Sequence, residues 1–292
     1  MKEICVVYLA RAQNGIEPFR NFLESYRQNQ GGIEHDFMVV FKGFECSSDK
    51  DAYFALLAPF QYVSFDVPDI GFDLTAYFAT AEHYAGQCRY FCFLNSFSVI
   101  LCHDWLSKLY KHISRPEVGL VGATGSWQSL NPWGQILQRR RMLLNSNSNP
   151  EGRKPSLWEK VSYKIVAIWR LFYIPLFFSP FPNYHLRTNA FMVSRALMMK
   201  IVLPTIKSKL AAYKFESGKN GLTRQVINMS KEVLVVGEDG VGYKMKDWNK
   251  SNIYWQADQQ NLLVADNQTR SYQNGAMEQR RYLSVMAWGG FS

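Results

Sequence analysis

The residues of this 292-residue chain that could do chemistry are few in type and scattered in place. Its five histidines, His35, His83, His103, His112 and His185, stand far apart, and neither a Gly-x-Ser-x-Gly nor a phosphate-loop motif accompanies them. An activated serine and a P-loop nucleotide site are therefore not in view. The sequence lacks paired CxxC motifs and HExxH, which excludes the common structural zinc sites and the zincin arrangement. GEDGVG at 237–242 carries its glycines in the wrong order for a dinucleotide fingerprint and reads as a turn. What stands out instead is charge. Between Arg139 and Arg170 eight basic residues (Arg139, Arg140, Arg141, Arg153, Lys154, Lys160, Lys164, Arg170) face only Glu151 and Glu159, a net +6 of the chain's +9. A block of that kind points to a polyanionic surface, either nucleic acid or anionic lipid.

The elements that must position any such chemistry follow a regular plan. Strand-like runs at Ile4–Ala10, Asp36–Phe41, Tyr62–Val67, Tyr90–Leu94 and Val118–Val121 alternate with helical spacing at Gly15–Gln28, Leu74–Tyr84 and His103–Ile113. The alternation resumes after residue 183, with a strand at Asn189–Val193, helices at Ala196–Ile201 and Leu222–Met229, and a strand at Glu232–Val236. The last forty residues show no strong period. This pattern predicts an α/β fold, Rossmann-like, with a mostly parallel central sheet flanked by helices. Such sheets bind ligands at the carboxyl ends of their strands.

Composition agrees with a packed chain. It is 47% hydrophobic and 15% aromatic, too apolar for a disordered protein. The opening MKEICVVYLARAQ reads as a first strand rather than a signal peptide, and an apolar run long enough to span a bilayer is lacking. Cys5, Cys46, Cys88, Cys92 and Cys102 are odd in number and mostly apolar in context, as expected of reduced thiols in the cytosol. The region 129–158 is polar, basic and rich in Asn, Ser and Pro; 164–181 is the most apolar stretch, interrupted by Arg170 and Pro175. This pair of segments reads equally as a buried helix or as a monotopic membrane contact over 139–181. In the second case Lys and Arg hold headgroups while Trp169, Phe172, Phe177 and Phe178 enter the interface.

Four stretches, in this order, carry a resemblance to a known family: VVYLARAQNGIEPFRNFLESY, DIGFDLTAYFATAEHYAGQCRYFCFLNSFSVI, FPNYHLRTNAFMVSRALM and FESGKNGLTRQVINMSKEVLVVGEDG. Together they resemble the inverting GT-A glycosyltransferases, broadly family 2-like, of bacterial surface-polysaccharide and lipopolysaccharide assembly. The resemblance implies one GT-A-like domain over 1–292: a nucleotide-sugar-binding half at 1–124, a basic and aromatic insertion at 125–182, and an acceptor and catalytic half at 183–292. It implies a nucleotide-diphosphate sugar donor, a glycan or lipid-linked acceptor, and a cytoplasmic protein peripheral to the inner face of the membrane.

The same resemblance assigns residues. Glu216 takes the family's acidic position, on a loop before the helix Leu222–Met229. It would act as the base that accepts the acceptor hydroxyl's proton, with Lys214 and Lys219 holding its pKa down. Ala10, Arg11, Asp69, Asp73, Asn95 and Ser96 would face the nucleotide and its sugar. Arg187, Asn189, Arg224 and His185 would serve the diphosphate or the acceptor. The departure is at the metal. Where the family holds Mg²⁺ or Mn²⁺ on Asp-x-Asp, this chain reads Asn95-Ser96-Phe97, which lacks the anionic oxygen those ions prefer. The expectation is metal-independent transfer, with a non-catalytic relative that binds glycan or scaffolds assembly as the alternative. Nucleic-acid binding is the weaker reading, since the basic residues are confined to the insertion. Trp127 and Trp133 could stack on sugars or belong to the core; Asp239 and the run Asp266–Thr269 are polar clusters without an assigned role.

Overall fold

The computed structural model describes residues 2–84, 88–131 and 171–290. Strand β1 (Ile4–Arg11) is buried almost throughout because ICVVYLAR is apolar on both faces, as a strand covered on both sides must be. With β2 (Asp36–Lys42), β3 (Val63–Val67) and β4 (Tyr90–Leu94) it forms a parallel run in the order β3-β2-β1-β4. Further along come β5 (Val99–Ile100), β6 (Val118–Gly122), β7 (Gly125–Ser126), β8 (His185–Leu186), β9 (Ala190–Ser194), β10 (Glu232–Val236), β11 (Gly242–Lys244) and β12 (Val264–Ala265). The full sheet has eight strands in the order β11-β10-β6-β9-β4-β1-β2-β3. Strand β9 runs antiparallel to both of its neighbours, β4 and β6, and β11 is antiparallel to β10. The central sheet is thus mostly parallel and flanked by helices.

Alternate side chains feed two cores, one on each face. Cys5, Val7 and Leu9 meet Met38, Val40, Phe91 and Phe93 on the first, under the helices Phe72–His83 and Leu222–Asn228. Ile4, Val6 and Tyr8 meet Phe37, Val39 and Cys92 on the second, under Glu17–Gln28 and Trp105–Ile113. The helix Glu17–Gln28 starts with proline in its first turn, where the missing N–H costs nothing, and buries Phe19, Phe22 and Leu23.

Several elements are absent from the sequence reading. The helices Asp51–Leu57, Lys209–Ser217, Asn267–Gln273 and Met277–Trp288 were not anticipated. The last buries Ser284–Trp288 at one end, not along one face, so its sequence carries no helical period to read. Four cysteines are buried and Cys46 is exposed; all five are free thiols. The basic residues Arg139–Arg170, with Trp133 and Trp169, lie outside the described residues. In the helical turn at 171–177 and just after it, Phe172 and Leu176 are exposed, but Ile174 and Phe178 are buried in the core. Phe178 is therefore a packing residue and not an interfacial one.

Two features bring distant chain to one edge. Because β9 is antiparallel, the residues entering it lie at the same edge where β4 and β6 end. Strand β12 pairs with β5, at Val264 to Ile100 and Ala265 to Val99, and so returns the C-terminal helices to that edge.

Candidate functional site

At the carboxyl edge of the sheet lies a cavity of about 380 Å³. Six of the residues singled out from the sequence line it: Asp73, Asn95, His185, Arg187, Asn189 and Glu216. They come from five different places in the chain. Asp73 is in the first turn of the helix Phe72–His83, Asn95 follows β4, His185 is in β8, Arg187 and Asn189 lead into β9, and Glu216 ends the helix Lys209–Ser217.

Glu216 is helical, not on a loop, and its neighbours do not act as expected. Its Oε1 accepts the Thr188 hydroxyl at 2.7 Å. Burial pushes its carboxyl above the ordinary range, with the Thr188 bond opposing and Asp73 adding to the rise. Lys214 turns away, donating to the Tyr173 hydroxyl at 3.1 Å and lying 3.2 Å from the Phe177 ring centroid. Lys219 donates to the Pro175 carbonyl at 2.7 Å. Both ammonium groups therefore serve the 171–178 segment. Asp73 is likewise pushed up by burial, against the pull of Arg11 and Lys42.

His185 is held neutral. Burial pushes its ring down to about 4, and the charges of Arg187 and Arg224 act in the same direction. Its Nδ1–H donates to the Asn183 carbonyl at 2.8 Å, which leaves Nε2 as an acceptor.

Arg187 is the most constrained group of the wall. Its guanidinium donates to Asp266 Oδ2 at 2.9 Å and to Thr124 Oγ1 at 3.4 Å, and lies 4.3 Å from the Tyr254 ring centroid. Asp266, fully buried, caps the helix Asn267–Gln273: its Oδ1 accepts the Thr269 N–H at 2.8 Å while Thr269 Oγ1 accepts the Asp266 N–H at 2.7 Å. The polar run Asp266–Thr269 thus has a role: a capping box whose second carboxylate oxygen holds Arg187.

Other residues escaped the sequence reading. Thr188, Tyr254 and Trp255 also line the cavity, as does Gln268 of the polar run Asp266–Thr269. Asn252, Trp255, Ala257 and Gln259 all have left-handed backbones, with φ between 41° and 56°. That concentration in non-glycine residues is strained and needs bracing. Gln256 accepts the Asn252 N–H at 2.9 Å and donates to Trp248, while Gln259 accepts the Trp255 N–H at 3.1 Å and donates to Thr269. Tyr254 and Trp255 stack at 4.4 Å, and Trp288 donates to the Tyr254 carbonyl. No propensity or spacing announces such a loop.

The remaining predicted residues stand outside the cavity's lining. Ala10 is core. Arg11 and Asp69 form an ion pair at 2.8 Å beside Lys42, which lies 3.9 Å from Asp69. The Ser96 carbonyl accepts the Tyr8 hydroxyl at 2.6 Å, and its buried Oγ has no partner among the described residues. Arg224 lies on the helix Leu222–Asn228, near enough to His185 to depress its pKa. Trp127 packs on Trp288 and Tyr184 and donates to the Met245 carbonyl, a core role. Asp239 fixes a turn through Val241, Tyr243 and Asn261.

The loop after β4 does not fit a divalent cation. Asn95 Oδ1 accepts from both the Phe97 N–H and the Ser98 hydroxyl at 3.0 Å, which occupies its two lone pairs. Among the described residues, groups of three His, Cys, Asp or Glu able to hold a metal are absent. Nor is any described helix long and apolar enough to cross a membrane.

No known family matches the chain, and no curated protein does. Solved structures do align with it. One is 4-diphosphocytidyl-2C-methyl-D-erythritol synthase from Anaerococcus prevotii, 12% identical over 80% of this chain and 88% of that one, at a TM-score of 0.43. Another is the galactosyltransferase LgtC in complex with donor and acceptor sugar analogues, 11% identical over 77% and 69%, at 0.39. A third is the mannosyltransferase PcManGT from Pyrobaculum calidifontis in complex with GDP-Man and Mn²⁺, 13% identical over 47% of this chain and 38% of that one, at 0.34. The chain spans well under half of that mannosyltransferase. Likeness at this level carries no activity across.

Proposed function

We propose that the protein transfers a sugar, with inversion, from a nucleotide-diphosphate donor to a glycan or lipid-linked acceptor, with Glu216 as general base and no bound metal. The observation that carries the reading is Glu216 itself: a desolvated carboxylate, aimed by Thr188, in a cavity shared with Asn95, Arg187 and Asn189. Desolvation brings the carboxylate nearer the pH at which it must accept a proton, which favours base catalysis. As the acceptor oxygen attacks the anomeric carbon, its proton passes to Glu216. The new carbon–oxygen bond forms while the bond to phosphate breaks, and the electron pair leaves with the diphosphate. The N–H donors of Arg187 and Asn189, which line the same cavity, stabilise that charge. A role in surface-glycan assembly at an anionic membrane belongs to the same proposal, supported by the exposed Phe172 and Leu176, which follow the basic run Arg139–Arg170 along the chain.

Calorimetric titration of UDP, GDP, TDP and CMP, each with EDTA and with Mn²⁺, tests the donor. Micromolar binding of one nucleotide, unchanged by EDTA, is the expected result; binding only with Mn²⁺ overturns metal independence. The absence of acidic metal ligands also suits a non-catalytic binder, and Glu216→Gln separates the two. Turnover falls about 10²–10⁴-fold in a base mutant, with donor affinity and melting unchanged. In the wild type, activity is lost as pH falls through the raised Glu216 pKa, and that acid limb disappears in the variant.

A further inference from the structure

Asp266, Arg187, Thr124 and Asn189 form a hydrogen-bonded chain, of which Arg187 and Asn189 line the cavity. Arg187 can only donate, so Thr124 Oγ1 accepts from it at 3.4 Å and Asp266 Oδ2 at 2.9 Å. The Thr124 hydroxyl proton is then free for Asn189, whose Oδ1 accepts it at 2.6 Å. With its oxygen taken, the Asn189 amide presents its nitrogen, and Nδ2 has no acceptor among the described residues. Asn189 is 4% exposed yet lines the cavity. A donor buried that deeply without a partner is destabilising unless something supplies an acceptor. The main chain holds the residue still: the Asn189 carbonyl accepts the Asn95 N–H at 2.8 Å.

Glu216, Asp73 and the free Nε2 of His185, which line the same cavity, are acceptors.

We infer that the Asp266–Arg187–Thr124 chain locks the Asn189 amide nitrogen toward the ligand, making Asn189 the donor to a non-bridging oxygen of the nucleotide diphosphate. The hydroxyl-bearing substrate then lies against Glu216. The inference rests on the proposed transferase reading and deepens it by assigning each substrate a partner. An oxygen that only accepts, as in phosphate, matches the unpaired amide donor. A hydroxyl, which also donates, matches the Glu216 carboxylate. Thr124 and Asp266 are positioning residues here, since they act through Asn189 and Arg187.

Three variants test this by calorimetry with UDP, GDP and TDP, alongside thermal melting. Thr124→Val removes the proton that orients the amide and weakens diphosphate binding about tenfold, whereas Thr124→Ser, which keeps the hydroxyl, restores it to within about threefold. Asn189→Asp places an anionic acceptor where the donor stood and weakens binding by about a hundredfold or more at neutral pH. If Asn189→Asp melts early, Asn189→Ala replaces it, with a loss of about tenfold expected. Wild-type binding that persists unchanged in Thr124→Val and in the Asn189 variant overturns the inference and leaves the transferase reading intact. Unchanged diphosphate binding with a raised acceptor KM in the Asn189 variant overturns it too, by moving the amide to the acceptor side. Failure of the wild-type protein to bind any of the three nucleotides overturns both.

Discussion

Lys42 and Asp266 are both fully buried charges at the carboxyl edge of the sheet, one beneath the loop that follows β3 and the other beneath the segment that enters β9. Lys42 is satisfied mainly by backbone. Its Nζ donates to the carbonyls of Ile70 and Phe72, which the left-handed Gly71 and Phe72 turn inward, and Asp69 stands at 3.9 Å. Asp266 is satisfied by a helix N-terminus and a guanidinium. A buried cation held by carbonyls fixes the path of a loop; a buried anion held by donors fixes the aim of a side chain. The first cluster shapes the rim near Asp73, and the second fixes Arg187 in the cavity's lining.

Substitutions can break or sharpen that contrast. Asp266→Ala strands the Arg187 charge and removes a helix cap, so a stability loss of about 3–5 kcal/mol is expected in denaturant unfolding. A loss below about 1 kcal/mol would mean the pair is not the anchor described. Lys42→Met leaves the two carbonyls without their donor but keeps the stem's packing, and about 2–4 kcal/mol is expected. If Lys42→Met instead proves as stable as wild type, the loop holds its own path. His185 probes the charge of the second cluster. Its folded pKa of about 4 lies below the ordinary value of 6.5, so the unfolded chain binds more protons between these values. Stability is full above pH 6.5 and declines as pH falls toward 4, by about 1–3 kcal/mol, and His185→Asn removes that slope in unfolding measured across the range. The smallest effect belongs to the exposed partner of the first cluster. Asp69→Asn loses a pair that solvent screens, so about 1 kcal/mol or less is expected, falling further in high salt.

The central strands were legible because they are buried on both faces: Tyr90–Leu94 and Glu232–Val236 match the sequence reading residue for residue. Amphipathic helices such as Glu17–Gln28 were legible for the complementary reason, one apolar face against a polar one. The C-terminal helix Met277–Trp288 was not, since its burial is gathered at one end rather than along one face. At the site, Asn95, His185, Arg187 and Asn189 were named through the family resemblance, and the structure brings them to one cavity. The braced loop 252–259 was invisible, since its shape depends on glutamine side chains that read as ordinary polar surface. Lys214 and Lys219 show the limit of sequence proximity: both neighbour Glu216 along the chain and both point elsewhere.

The antiparallel placement of β9 has a consequence for how the molecule comes into being. Without it the sheet is two separate pieces, β3-β2-β1-β4 and β6-β10-β11, which share no hydrogen-bonded edge. The two halves join only when the chain through Ser194 has been made and has threaded back between them, a late and long-range event. The strand that closes the sheet also carries Arg187, Thr188 and Asn189 at its entrance. A chain in which β9 is not in place therefore lacks three of the groups that line the cavity.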